Sequence, residues 1–261
     1  MKFSVANAKI QALSNVEGLS GYLEGKRKVY SFDLLSGHSC PFAEQCLSKV
    51  IIQDGKRKIK DGPKTEFRCF SASQESIYTN LYNLRKSNYD ELRAIQDDSA
   101  AMADAIIAAM PKNAGIVRIH VGGDFFNENY FKAWIIVATL NPDRLFYAYT
   151  KSLKYWVNQL QPGSEFIIPD NLVLTASRGG RLDHLIAEYN LREAVVVYSE
   201  EAAKKLNLEI DHDDSHAATR GGNFALLIHG AQPKGSEASE ALQQLKKNKV
   251  KHSYSRKAVT A

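Results

Sequence analysis

Residues 116–140, IVRIHVGGDFFNENYFKAWIIVATL, contain the pattern that decides the fold. The run IVRIHV is short and rich in β-branched residues, and Gly122-Gly123-Asp124 ends it, which predicts a buried strand over residues 116–121. The segment 129–140 carries apolar residues at helical spacing, and Asn141-Pro142 ends it. A strand buried on both faces and followed by a helix is the unit from which parallel sheets are built.

The same alternation recurs on both sides of this stretch. Five more apolar runs predict strands, at residues 28–34, 145–149, 171–176, 194–198 and 224–229. Helices are predicted at residues 76–84, 98–110, 151–160 and 183–189. About six β–α units are fewer than the eight of a closed barrel. We therefore predict an α/β fold, a partial (β/α)6 barrel with mainly parallel strands. It would form a single domain over residues 1–244 with an insert at about 47–68, followed by a disordered basic tail over 245–261.

The composition is that of an ordinary globular protein. Hydrophobic residues make up 44% and charged residues 24% of the 261 residues, which argues against wholesale disorder. No apolar run reaches the ~18–20 residues of a membrane span, and the N-terminus lacks the features of a secretory signal. We therefore expect a cytoplasmic protein without membrane contact.

The basic residues are unevenly distributed. The net charge of +5 comes largely from clusters at residues 26–28, 53–60 and 246–251. Such clusters can contact nucleic acid, but solvated loops and a frayed tail are the favoured interpretation. The first two clusters contain no aromatic residue that could stack on bases.

Three cysteines, Cys40, Cys46 and Cys69, lie within thirty residues of each other. Clustered cysteines in a reducing compartment suggest a soft-metal site rather than disulfides. Three thiolates can hold three corners of a [4Fe–4S] cluster and leave one iron open. Zinc bound with a histidine such as His38, or unrelated core cysteines, are the alternatives.

Polar residues follow nearly every predicted strand. In parallel α/β proteins, functional groups lie at the carboxyl ends of the strands. Gly122-Gly123-Asp124 follows one strand, Lys151 the next, and Ser177-Arg178 the third. The two glycines could admit a ligand to the backbone, or they could simply permit a tight turn with Asp124 capping the next helix. Asp124 and Lys151 are the candidate catalytic residues.

Three further features have competing interpretations. The loop 178–181 could grip a carboxylate or phosphate through its arginines, or be a surface loop. Residues 211–216, DHDDSH, could bind a second metal or form a hydrogen-bonded turn. His120 lies within a predicted strand and is interpreted as a satisfied core histidine.

The cysteines and the Gly-Gly-Asp triplet resemble the motifs of radical S-adenosylmethionine (SAM) enzymes. Those enzymes combine a six-unit partial barrel with a three-cysteine loop after the first strand and a Gly-Gly-Glu-like motif after the second. The resemblance implies that Gly122, Gly123 and Asp124 orient the amino group of SAM, and that Ser177 and Arg178 contact its ribose or carboxylate. The spacing here, C-x5-C-x22-C, departs from the usual C-x3-C-x2-C, and Asp replaces Glu.

A closer resemblance extends over nearly the whole chain. Segments such as TEFRCFSASQESIY, VRIHVGGDFFNENYF and EIDHDDSHA resemble the phage-borne gene product 88 family. This resemblance implies a viral origin and, with it, the cytoplasm of the host cell. It implies no reaction.

Three hypotheses follow from the sequence. The first is a phage-encoded [4Fe–4S] protein with SAM-dependent radical chemistry. The second is a non-enzymatic iron–sulfur electron-transfer or redox protein with an unidentified redox partner. The third is a basic nucleic-acid-binding protein, whose affinity would fall steeply with salt.

Overall fold

The fold was obtained as a computed structural model, which describes residues 1–250. The strands are β1 (Ser4–Val5), β2 (Lys28–Phe32), β3 (Ser48–Gln53), β4 (Lys56–Asp61), β5 (Ala114–Ile119), β6 (Leu145–Thr150), β7 (Leu172–Ser177), β8 (Glu193–Val197), β9 (Glu209–Ile210) and β10 (Phe224–Leu227). The α-helices are α1 (Ala8–Gln11), α2 (Phe70–Ile77), α3 (Thr79–Ala94), α4 (Ser99–Ala109), α5 (Glu128–Thr139), α6 (Leu153–Asn158), α7 (His184–Glu188), α8 (Glu200–Lys205), α9 (Ser215–Ala218) and α10 (Glu237–Lys247). Two 3-10 helices, Ala12–Asn15 and Ser20–Leu23, complete the N-terminal segment.

Eight strands form one mostly parallel sheet. Its order is β1-β2-β5-β6-β7-β8-β10-β9, and all neighbours pair in parallel except β1 and β2. Six of its strands, β2, β5, β6, β7, β8 and β10, lie side by side in chain order, and the short strand β9, which precedes β10 in the chain, lies beyond β10 at the edge of the sheet. This confirms the prediction of an α/β fold with mainly parallel strands. The strand pairing does not show closure into a barrel.

The sheet is buried on both faces. Successive residues of a strand point to opposite faces, and in β5 Ile116 packs in one apolar cluster while Val117 packs in another. One face is covered by α4 and α5, with Trp134 among the largest fully buried side chains. The N-terminal segment covers the other face with Ile10 and Leu13. Double-sided burial explains why the strands read as continuous apolar runs.

Local signals set most element boundaries. The helix predicted at 98–110 is α4, and the backbone N–H of Ala101 donates to the Asp98 carboxylate at 2.9 Å, which caps it. The helix predicted at 76–84 is instead divided between α2 and α3, because Tyr78 adopts an extended conformation. The hairpin β3–β4 lies in the predicted insert, and α10 extends to Lys247. Residues 251–261 of the predicted basic tail lie outside the described residues, and the domain boundaries stay a prediction.

Candidate functional site

A cavity of about 200 Å³ lies at the carboxyl edge of the parallel sheet. Side chains from the ends of three neighbouring strands border it, namely His120 and Asp124 after β5, Tyr149 and Lys151 at the end of β6, and Ser177 at the end of β7. Cavities at this edge are where α/β proteins place their ligands. Asp124, Lys151 and Ser177, each at or just after the end of a predicted strand, therefore meet in one place.

Asp124 is a buried carboxyl group of this site with three hydrogen bonds from the protein. Its Oδ1 accepts hydrogen bonds from the Thr150 hydroxyl at 2.6 Å and from the backbone N–H of Phe125 at 2.7 Å. Its Oδ2 accepts from the backbone N–H of Lys151 at 2.9 Å. Burial outweighs these hydrogen bonds and raises the pKa of Asp124 to about 6. A carboxyl group with such a pKa is populated in both protonation states near neutral pH.

The second candidate catalytic residue, Lys151, is only 6% exposed. Its Nζ donates to the backbone oxygens of Ser177 and Arg178 at 2.8 and 2.7 Å, and to the Ser177 hydroxyl at 2.8 Å. An ammonium group has three donors. These acceptors use its hydrogen-bonding capacity, so Lys151 connects the ends of β6 and β7.

The two glycines of the triplet are packed against the protein itself. A Cβ at Gly122 would lie 2.6 Å from the Arg85 guanidinium carbon, and one at Gly123 would lie 2.6 Å from the Ser39 hydroxyl. Gly123 also has a φ of 95°, which disfavours other residues. The tight turn therefore accounts for both glycines, although Gly123 still borders the cavity.

A buried ion pair supports this turn from behind. The Arg85 guanidinium donates to Glu75 Oε1 at 2.9 Å and to the backbone oxygen of Ser71 at 3.3 Å. Ser36 donates to the same carboxylate oxygen through its backbone N–H and its hydroxyl. The pair links α2 and α3 to the loop that carries Gly122 and Asp124.

Arg178 does not face the cavity in the way that the SAM resemblance implies. Its Nε donates to Glu193 Oε2 at 2.6 Å, and it is not among the residues that border the cavity. The following loop is held by Asp183, which accepts from the backbone N–H groups of Gly179 and Gly180. This is a locally hydrogen-bonded loop. The roles of Gly122, Gly123, Asp124, Ser177 and Arg178 toward a cofactor stay predictions.

Sequence reasoning missed the importance of His120 and Tyr149. His120 directly follows β5 in a left-handed conformation with a φ of 68°, which is uncommon outside glycine. Its Nε2 lies 2.9 Å from the Tyr130 hydroxyl, but its Nδ1 and the Tyr149 hydroxyl are buried without a hydrogen-bond partner. Burial lowers the pKa of His120 to about 3, so the imidazole is neutral. The one available signal was that His120 immediately precedes the Gly-Gly-Asp turn.

A cluster of charged and phenolic side chains borders the cavity. Arg118 on β5 pairs with the buried Asp214 and lies over the Tyr149 ring, 5.1 Å from its centroid. Tyr147 donates to Asp214 at 3.0 Å. Burial and the Asp214 charge raise the pKa values of both tyrosines well above the usual range. Both therefore stay neutral phenols that can donate hydrogen bonds.

All three cysteines border the cavity as free thiols. Gly37 donates its backbone N–H to the Cys40 sulfur at 3.3 Å. Burial raises the pKa of Cys40 well above its usual value, and the Asp124 charge adds to this effect. Burial also raises the pKa of Cys69 to about 11, which backbone N–H groups at the start of α2 only partly offset.

The predicted iron–sulfur centre is wrong. Within residues 1–250, no group of three or more His, Cys, Asp or Glu side chains is arranged to hold a metal ion. Cys40, Cys46 and Cys69 border one cavity without forming such a ligand set. We therefore reject the two iron–sulfur hypotheses and the radical SAM interpretation.

The segment DHDDSH is a hydrogen-bonded turn. Asp211 accepts from the backbone N–H of Asp213, and Asp213 accepts from that of Ser215, each at 3.1 Å. His216 lies 2.9 Å from Glu209 through Nε2. In the part of the chain that the structure describes, these side chains form no metal-binding group.

Comparison with known proteins places the chain in a family. A family model described as gene product 88 matches residues 1–251. The chain belongs to the gene product 88 family. The chain is 28% identical over 122 residues to the gene 88 protein of Mycobacterium phage L5, and the aligned part covers 44% of each protein. No solved structure matches it. The predicted family is confirmed, the predicted phage origin stays a prediction, and the radical SAM resemblance finds no support.

None of the helices within residues 1–250 combines the length and apolar composition that crossing a membrane requires. The predicted cytoplasmic location stays a prediction.

Proposed function

We propose that this protein binds a small polar molecule in the cavity at the carboxyl edge of its sheet, and that Asp124 exchanges a proton with it. The observation that carries the proposal is the pair of unpartnered polar atoms, His120 Nδ1 and the Tyr149 hydroxyl, buried beside one cavity. A buried polar atom without a partner costs about 1–3 kcal/mol. A ligand that hydrogen-bonds both atoms would recover that cost.

The dimensions and charges of the cavity restrict the ligand. A volume of about 200 Å³ is below the ~300–1,000 Å³ of pockets for drug-sized molecules. The Arg118 charge is paired with Asp214, and the Lys151 ammonium, hydrogen-bonded to the end of β7, faces the Asp124 carboxyl, whose pKa it lowers. We therefore expect a compact, uncharged molecule, of the size of a single heterocycle, with both donor and acceptor groups.

Asp124 can act on such a molecule as an acid or a base. Each of its oxygens accepts hydrogen bonds from fixed donors, so the carboxyl group is held in one orientation. Oδ1 accepts two hydrogen bonds, whereas Oδ2 accepts one and retains capacity for a further bond. Its pKa of about 6 suits proton transfer at neutral pH.

The architecture that would support this site is a partial (β/α)6 barrel. Six parallel strands in chain order are the arrangement from which such a barrel is built. Curvature of this sheet would bring Leu226 on β10 toward the same cavity that β5 borders, and both strands do contribute to its lining.

Ligand-observed NMR tests the binding proposal. The probes are free nucleobases, neutral amino acids and SAM, each at millimolar concentration. We expect saturation transfer to at least one compact probe with wild-type protein and its loss in Tyr149→Phe, while the matched control Tyr198→Phe, outside the cavity, retains it. Absence of transfer to every probe, or equal transfer to both variants, contradicts the proposal. SAM binding, which the sequence predicts, is decided by the same panel.

The pH dependence of that binding tests the role of Asp124. Affinity for the identified probe should change through about pH 6 in wild-type protein and stay level in Asp124→Asn. If the affinities of wild type and Asp124→Asn change with pH in the same way, Asp124 does not exchange a proton with the ligand, and only the binding proposal remains.

A further inference from the structure

The hairpin β3–β4 stands apart from the main sheet and has a fixed register. Gln53 pairs with Lys56, so Asp54 and Gly55 form a two-residue turn. Both turn residues have positive φ, 54° and 70°, as a type I′ turn requires. This turn determines which side chains share a face of the ribbon.

The register places four lysines on one face. Lys49 lies opposite Lys60, Ile51 opposite Lys58, and Gln53 opposite Lys56. We call Lys49, Lys56, Lys58 and Lys60 the lysine face. Lys56, Lys58 and Lys60 are exposed to solvent.

The opposite face attaches the ribbon to the protein. Val50 is 1% exposed and lies opposite Ile59, and both strands pack against α2. Arg57, also on this face, donates to the Thr79 hydroxyl at 2.8 Å and lies over the Tyr82 ring. The lysine face is therefore presented outward on an anchored ribbon.

The positive charge of this face is scarcely compensated. The hairpin contains two carboxylates, Asp54 and Asp61. Asp61 is engaged by Arg68 at 2.6 Å, and Asp54 lies 3.6 Å from Lys58 in an exposed pair, which contributes little. Lys49 opposite Lys60 is a like-charge pair, which destabilises a ribbon. A polyanion bound across the face would remove that repulsion.

We propose that the lysine face binds the phosphate backbone of duplex DNA. Lys56 to Lys60 spans four residues, or about 14 Å at ~3.4 Å per residue, a length over which duplex DNA carries about eight phosphates. The major groove of B-DNA admits a two-stranded ribbon. The ribbon has no aromatic residue, which disfavours base stacking on single strands. This inference uses residues outside the cavity and is independent of the proposed small-molecule site.

Fluorescence anisotropy with a labelled 24-base-pair duplex, measured at 50 and 200 mM salt, tests the proposal. Each phosphate contact contributes about −0.9 to the slope of log K against log salt. Four contacts predict a fall in wild-type affinity of roughly 150-fold over this fourfold range. The triple variant Lys56→Gln/Lys58→Gln/Lys60→Gln should lose about 2.7 of that slope and bind more weakly at 50 mM.

A matched variant controls for net charge. Lys204→Gln/Lys205→Gln/Lys247→Gln removes the same charge from exposed positions on α8 and α10. We expect this variant to keep the wild-type affinity and slope, and the hairpin variant to melt no lower than wild type because it removes the like-charge pair. Wild-type binding by the hairpin variant, or equal weakening in both, overturns the proposal. Preference for single-stranded DNA or for anionic vesicles of phosphatidylserine over the duplex overturns it as well.

Discussion

Arg85→Met should destabilise the protein strongly, because it leaves a carboxylate buried without its charged partner. The Arg85 and Glu75 side chains are 1% and 0% exposed. Without the guanidinium, Glu75 keeps only the two hydrogen bonds from Ser36. Removing one partner of a buried ion pair typically costs about 3–5 kcal/mol, a large part of the ~5–15 kcal/mol by which a folded protein is stable.

Urea unfolding, followed by tryptophan fluorescence, measures this loss. With a slope of about 3 kcal/mol per molar urea, the midpoint of Arg85→Met should lie roughly 1–1.7 M below that of wild type. Lys86→Met is the control on the same helix. Lys86 and its partner Asp90 are 49% and 53% exposed, and such pairs contribute well under ~1 kcal/mol.

A double variant separates the buried charge from lost packing. Glu75→Gln/Arg85→Met removes the charge but keeps an oxygen acceptor for Ser36, so it should recover at least about 2 kcal/mol relative to Arg85→Met. The reasoning is refuted if Arg85→Met shifts the midpoint no further than Lys86→Met does. A double variant less stable than Arg85→Met would instead identify packing around Gly122 as the cause.

Three further predictions follow from the site and the sheet. Burial raises the folded-state pKa of Asp124 to about 6, so its stabilising contribution is present in full below about pH 4 and is lost as the pH rises through 6. The unfolding free energy of wild type minus that of Asp124→Asn should therefore fall by about 2.4 kcal/mol from pH 4 to pH 7.5, and a level difference contradicts the assignment. With a pKa of about 11, Cys69 is a thiolate in about one molecule in a thousand at pH 8. Iodoacetamide should therefore alkylate it at least ~100-fold more slowly than a free peptide cysteine, as measured by peptide mass spectrometry. An alkylation rate like that of the free peptide would contradict the raised pKa. A Cβ at Gly115 would lie 1.9 Å from the Tyr22 carbonyl oxygen, whereas a Cβ at Gly222 would meet no atom within 4 Å. Gly115→Ala should therefore lower the melting temperature by roughly 4–10 °C, with Gly222→Ala as the control. Equal shifts in the two variants would mean that the backbone at Gly115 moves to accommodate the added methyl group.

The parallel sheet could be predicted from the sequence because its signals are local. Strands buried on both faces require continuous apolar runs, and residues 145–149 and 194–198 show them directly. The edge strand β1 and the hairpin β3–β4 were missed for the opposite reason. β4 is KRKIKD, whose charged residues are typical of a solvated loop until the pairing with β3 is known.

The site was predictable in place but not in chemistry. Asp124, Lys151 and Ser177 were expected at one edge because parallel strands share their carboxyl ends, and they all border the cavity. The cysteines were misread because spacing does not determine whether three sulfur atoms converge. Whether His120 Nδ1 and the Tyr149 hydroxyl find hydrogen-bond partners depends on which neighbours fold against them. No sequence pattern records that.

The chain-ordered succession of strands also has a consequence for biogenesis on the ribosome. From β5 to β8, each strand pairs with the strand synthesised just before it, and β10 pairs with β8 after residues 198–223, so closing these contacts requires only short excursions of chain. The pairing of β2 with β5 is the exception, since residues 33–113 intervene. The pairing of β2 with β5 should therefore be the rate-limiting step in folding of the nascent chain. The later strands can then add to the sheet one after another as they leave the ribosome.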